Sequence, residues 1–266
     1  MSEQHYVESR DLALAWALAL STIVEAKGDR VSPIAVSVTG FEDSQPIETQ
    51  RIRAVADAAL ADAEQFSCDT VASTIFPGSM WDWRGNAEEE RREQLYERYL
   101  RLYPRLMHRH RANCHGTYFG RLIAYRGPDG NQLEHIIETF GRGNHRHSAL
   151  IAAVFDAEQD HSHQRRRGFP CMHEVTFELH GTDGLGITGF YATQYYYSKA
   201  YGNLLGLSRL GRFMAQVLQR QLVRVNCVAS VAQLGSEFTK KQARELLGAI
   251  GPLPGDAKQR TGGVRV

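Results

Sequence analysis

The chain has 266 residues, 42% of them hydrophobic and 23% charged, enough apolar material for a buried core and too much for disorder to be the main state. Lys and Arg number 31 and Asp and Glu 30, a formal charge of +1, so the bulk electrostatics recommend neither nucleic acid nor an anionic membrane as partner. The four cysteines, Cys68, Cys114, Cys171 and Cys227, lie far apart with no CxxC pair. That spacing argues against a metal cluster or a disulfide framework and for a reducing, cytoplasmic setting.

Leu12–Glu25 reads as an Ala/Leu-rich helix, with Ser9 or Asp11 near its start and Gly28 past its end. This run is shorter than the roughly 20 residues a membrane span needs, and no cleavage site marks it as a secretory signal. Residues 34–39 alternate as a β-branched strand. Residues 46–66 predict a second helix, with Ile52, Val55, Ala56, Ala59 and Leu60 on one face, Asp43 or Ser44 as its cap and Pro46 in its first turn. Residues 71–76 read as a strand ending at Pro77-Gly78. Residues 88–108 predict a charged helix with Leu95, Tyr99, Leu102 and Leu106 on one stripe, its 88–92 charge run being a solvated face.

A helix over 132–140, a buried strand over 149–155 and a polar loop over 160–167 come next. Residues 175–179 and 185–197 read as strands joined by the Gly-Thr-Asp-Gly turn at 181–184, a hairpin signal. A helix over 204–222, a strand over 223–231 and a short helix over 239–247 follow, and the Gly/Pro-rich end, 251–266, is expected to be a flexible tail. Helices mixed with a mixed, largely antiparallel sheet place the chain in the α+β class, as one domain over 1–266.

The motifs from 116 onward, taken in order, resemble the thymidylate synthase family. Phe169-Pro170-Cys171-Met172-His173 is similar to its Pro-Cys-His nucleophile motif, and Gly202-Asn203 after the hairpin to the Gly and Asn that open its long buried helix. Upstream, Gly116-Thr117-Tyr118-Phe119-Gly120 resembles its Gly-Pro-x-Tyr-Gly segment. Asn131-Gln132 resembles its Asp-Gln, and the strand before Asp156 its strand ending in Trp-Asn or Trp-Asp. The match covers about 116–231; residues 1–110 have no counterpart. Departures are concentrated at the phosphate and sugar positions. Ser148 and Ala149 stand where the family has an arginine pair, and the Arg of its Gln-Arg-Ser-x-Asp is missing from 191–195. Residues 230–234 lack its Asp-x-His-x-Tyr, and only Trp81 and Trp83 are candidates for its Trp.

The resemblance implies a thymidylate synthase-like homodimer acting on a pyrimidine nucleotide or analogue. The reaction would be C5 methylation or hydroxymethylation, with 5,10-methylenetetrahydrofolate as one-carbon donor. A soft nucleophile adding at C6 makes C5 carbanion-like, and Cys171 suits that role if cations such as Arg165, Arg166 and Arg167 lower its pKa; its other reading is a buried structural thiol. Asn203 would orient the ring, since an amide donates and accepts at once, and it equally suits a helix N-cap. Tyr118 would relay a proton. Arg146, nearest the family's arginine pair, and Arg167 would hold the substrate's anionic end. His173 is a substrate contact, a base for Cys171 in an alternative cysteine hydrolase, or a structural hydrogen-bonder. The His pairs at 108, 110 and 161, 163, with His115, lack a carboxylate set for metal. Tyr191, Tyr195 and Tyr197 on one strand face fit either a dimer contact or core. The losses leave a second reading open, a catalytically silent dimeric scaffold that binds a nucleotide or a protein.

Overall fold

The 14 residues of α1 (Leu12–Glu25) are mostly Ala and Leu, strong helix formers. Asp11 caps it, the carboxylate accepting from the Leu14 N–H at 2.8 Å. The structure is a computed structural model that describes residues 4–143, 146–163, 171–253 and 258–262. Strand β1 (Gln4–Ser9), not foreseen from the sequence, precedes α1; β2 (Arg30–Val31) and β3 (Ile34–Val38) follow. β4 (Phe41–Glu42) and β5 (Gln45–Pro46) form a small hairpin whose turn holds Asp43 and Ser44 at φ 48° and 60°. That left-handed turn displaces the helix start expected at 46, and α2 runs Gln50–Asp62 from Thr49.

Residues 71–76, expected as a strand, lie in and just after a helix, α3 (Cys68–Ser73). The Ser67 hydroxyl accepts from the Thr70 N–H at 3.2 Å and Asp69 occupies the first turn, both helix-start features. Three further helices, α4 (Glu89–Arg109), α5 (Tyr118–Ile123) and α6 (Gln132–Gly141), lead to the short strand β6 (Ile151–Ala153) and the single turn α7 (Ala157–Asp160). On α4, Leu95 and Tyr99 are buried as expected while Leu102 is exposed. β6 is shorter than the strand expected over 149–155, and as a sheet edge it leaves Ile151 exposed.

β7 (Met172–His180) and β8 (Gly184–Tyr195) form the hairpin, turning at Gly181 with φ 60°. Tyr196 and Tyr197 have left the strand and, like Tyr191, are buried in the core, while Tyr195 is half-buried. α8 (Ala200–Val217), β9 (Gln221–Gln233) and α9 (Lys240–Ile250) complete the core. α9 opens with a capping box between Thr239 and Gln242. The end of the chain was expected to be loose throughout, yet β10 (Lys258–Gly262) pairs antiparallel with β1.

The main sheet runs β10-β1-β3-β9-β8-β7-β6, with β2 also on β9. β1 with β3 and β8 with β9 are parallel and the other pairs antiparallel, so the sheet is mixed within an α+β architecture. β1 and β3 tie the unmatched N-terminal part into the same sheet. α1 and α8 cover one face: a Cβ on Gly189 would meet Leu207 at 2.8 Å, and one on Gly211 would meet Ile187 at 2.9 Å. On its next face α8 receives α3, where a Cβ at Gly202 would lie 2.5 Å from the Val71 Cβ. The opposite sheet face carries a half-buried strip. Arg224 donates to Glu8 at 3.2 Å and to Ser37 at 2.6 Å, and Asn226 donates to Glu178 at 3.1 Å and to Thr188 at 3.0 Å. No helix among the described residues is long and apolar enough to cross a membrane.

Candidate active site

Cys171 stands just before β7 and is already held by the sheet, its carbonyl accepting from the Ala192 N–H at 3.0 Å. Met172 pairs with Tyr191, so the thiol lies at the end of the hairpin away from the 181–184 turn, where β8 leads toward α8. Other segments converge there. α5, capped by Thr117 through the Gly120 N–H at 3.2 Å, brings Tyr118 against the Cys171 and Met172 backbone N–H groups. The Tyr118 ring meets Tyr191 edge-on at 6.4 Å. β9 supplies Cys227, which exchanges hydrogen bonds with the Gln194 amide at 3.3 and 3.4 Å.

α8 supplies Asn203. Leu207 packs at Gly189 and Gly211 at Ile187, so the helix runs antiparallel to β8. One turn before Leu207, Asn203 therefore comes level with Tyr191. Asn203 is buried, and its amide makes no hydrogen bond among the described residues. It is not an N-cap: α8 starts at Ala200, and the Asn203 backbone N–H already donates to the Lys199 carbonyl at 2.9 Å. The Tyr191 hydroxyl is likewise buried without a partner. The Tyr191 hydroxyl is thus left unsatisfied near the thiol, in a region where buried polar groups are normally paired.

Burial pushes the Cys171 thiol above the ordinary thiol range. The Tyr118 phenol is raised by burial and then by the nearby Cys171, and that of Tyr191 by burial and then by Cys227, Tyr118 and Cys171. At neutral pH all three are protonated and uncharged. The expected cationic field does not appear among the described residues; Arg165, Arg166 and Arg167 lie outside them. The thiol becomes a nucleophile only on losing its proton.

Of the other expected residues, Arg167 lies outside the described ones, and Arg146, Trp81 and Trp83 sit away from Cys171. His173 sits at a β-bulge and is exposed. Its carbonyl accepts from the Val154 and Phe155 N–H groups at 2.7 and 2.9 Å, and its ring packs on Phe155 at 5.6 Å. It is the backbone of His173, not its ring, that ties this segment to residues 154 and 155. Arg146 is exposed at the opposite end of the β6–β7 pair. Leu150, which follows it through one 3-10 turn, bonds Phe177, about 20 Å along the strand from Cys171 at strand rise. Trp81 is buried against Phe213, its indole donating to Gln216 at 2.9 Å, and Trp83 donates to the Gly78 carbonyl at 3.1 Å. Among the described residues, no group of three or more His, Cys, Asp or Glu could hold a metal ion.

Sequence reasoning missed Tyr191 as part of the site. Counting back from the 181–184 turn places Tyr191 opposite His173, and it is the bulge that moves its partner to Met172, next to Cys171. No family model matches the chain, and no curated protein is significantly similar to it.

Proposed function

We propose that the chain modifies C5 of a pyrimidine nucleotide or related ring, with Cys171 as nucleophile. The observation that carries this reading is the meeting of Cys171, Tyr118 and Tyr191, with Asn203 level with Tyr191 on α8 and the Tyr191 hydroxyl buried without a protein partner. Cys171 sulfur bonds to C6, the C5–C6 π pair moves onto C5, and the thiol proton passes to solvent. Asn203 pairs with the ring edge, donating and accepting at once. Tyr118, held as a phenol, donates toward charge that develops on the ring. Hydroxymethylation or methylation with 5,10-methylenetetrahydrofolate rests on the resemblance to thymidylate synthases; no side chain at the site discriminates that donor.

The same reading makes the protein a homodimer through the sheet face opposite α1 and α8. Six strands at about 4.8 Å spacing and some seven residues long give on the order of 600 Å², near the roughly 800 Å² each partner contributes to a standard interface. Phe190 and Val228, paired on β8 and β9, supply apolar centre. Arg146, remote from its own Cys171, then serves only across the dimer. One observation favours the second reading, a silent scaffold binding a nucleotide or protein: the Cys171 thiol is raised by burial rather than lowered by cations.

Solvent exchange separates the two. Addition at C6 loosens the C5 hydrogen, so the H5 proton signal of uridine or cytidine monophosphate in heavy water should fade with the chain and persist with Cys171→Ser. Persistence with both proteins supports the scaffold.

A further inference from the structure

On the far side of α8 from Asn203 lies a cavity of about 700 Å³, the size of a small-molecule site. Arg212 follows Asn203 by nine residues, two and a half helical turns, so the two side chains project from opposite faces. α3, the β4–β5 hairpin and the 78–83 segment complete the walls. The Arg212 guanidinium stacks on Trp83 at 4.3 Å, is half-buried, and makes no hydrogen bond or ion pair among the described residues. The other charges of the cavity are satisfied. Glu48 accepts from Arg53 at 2.9 Å and from Tyr201 at 2.6 Å, and Asp69 accepts from Arg53 at 2.8 Å and from Arg209.

A guanidinium stripped of part of its hydration and hydrogen-bonded to no carboxylate, with only Asp43 attracting it from a distance, is an incompletely matched cation in a cavity wall, an arrangement that a bound anion would complete. Its planar fork fits phosphate. Glu48 and Ser73, on the same lining, offer oxygen acceptors to hydroxyl groups. We propose that this cavity binds a sugar phosphate, with the phosphate on Arg212, Trp83 as the apolar wall and the sugar hydroxyls toward Glu48 and Ser73. The site is separate from Cys171, and this assignment stands whether or not the pyrimidine reading does.

The test is calorimetric titration of the full chain with ribose 5-phosphate. Saturable binding is expected, weakened at least roughly tenfold by Arg212→Gln and unchanged by Cys171→Ser. Absence of saturation up to about 10 mM, or equal affinity in Arg212→Gln, overturns the assignment. Should Arg212→Gln fail to fold, Arg212→Lys carries the test: losing the fork weakens binding severalfold, and unchanged affinity overturns the proposal.

Discussion

Cys171 illustrates what a motif can and cannot convey. Its place at the start of a hairpin strand was legible from Pro170-Cys171 and the 181–184 turn, but its electrostatics were not, because burial by Tyr118 and Tyr191 arises only in three dimensions. The structure predicts an order of alkylation by iodoacetamide in the free protein. Exposed Cys114 reacts first, half-buried Cys171 later and only toward alkaline pH, and buried Cys68 and Cys227 last. Peptide mass mapping across pH reads this directly, and a Cys171 that outpaces Cys114 at neutral pH would contradict a thiol raised by burial. His173 and Asn203 teach opposite lessons. Two residues of spacing placed His173 near the thiol, but the bulge turned it out. Asn203 was read from sequence as a cap and, compatibly, as a substrate contact, and the actual start of α8 at Ala200 removes the cap.

At the scale of elements, strongly periodic segments were legible: α1 and α9 fall where their patterns put them, and the hairpin needs only its glycine turn. α3 was misread because three β-branched residues in 71–76 outweighed the Ser67 cap, while its real determinant is distant, the glycine groove of α8. Gly202→Ala would drive a methyl into Val71 and the Cys68 carbonyl, at 2.5 and 2.8 Å. We expect a loss of about 1–3 kcal/mol in urea unfolding, the usual cost of overpacking; an unchanged midpoint would show that α3 can shift freely. The Arg121–Asp160 pair, at 2.5 and 2.9 Å, ties α5 to α7 behind Tyr118. Burial raises the Asp160 carboxyl, but Arg121 and the Asp156 N–H more than offset this and leave it below the usual range. A depressed carboxylate stabilises above its unfolded pKa of about 3.9, and that stability disappears as pH falls through the lower folded value. Thermal melts from pH 6 to pH 2 should therefore fall less steeply in Asp160→Asn than in the parent; parallel curves would contradict the linkage.

For the molecule as a whole, the α+β class was legible from the alternation of helices and a hairpin. The sheet order was not, because β1 and β10 pair residues from opposite ends of the chain. With α1 and α8 on one face, the half-buried strip around Phe190 and Val228 lies on the other, and the dimer reading predicts twice the chain mass in sedimentation equilibrium. Val228→Asp places a charge at the centre of that face and should yield single chains with an unchanged far-UV spectrum. A parent protein that sediments as one chain contradicts the dimer without touching the site. The central claim is that Cys171 adds to a pyrimidine ring. Its most direct test is intact mass after incubation with 5-fluoro-2′-deoxyuridine and 5-fluoro-2′-deoxycytidine monophosphates and 5,10-methylenetetrahydrofolate, since fluorine at C5 cannot leave as a proton does. The account predicts a covalent adduct that Cys171→Ser abolishes; an unmodified mass with both nucleotides, or an adduct that survives Cys171→Ser, would contradict it.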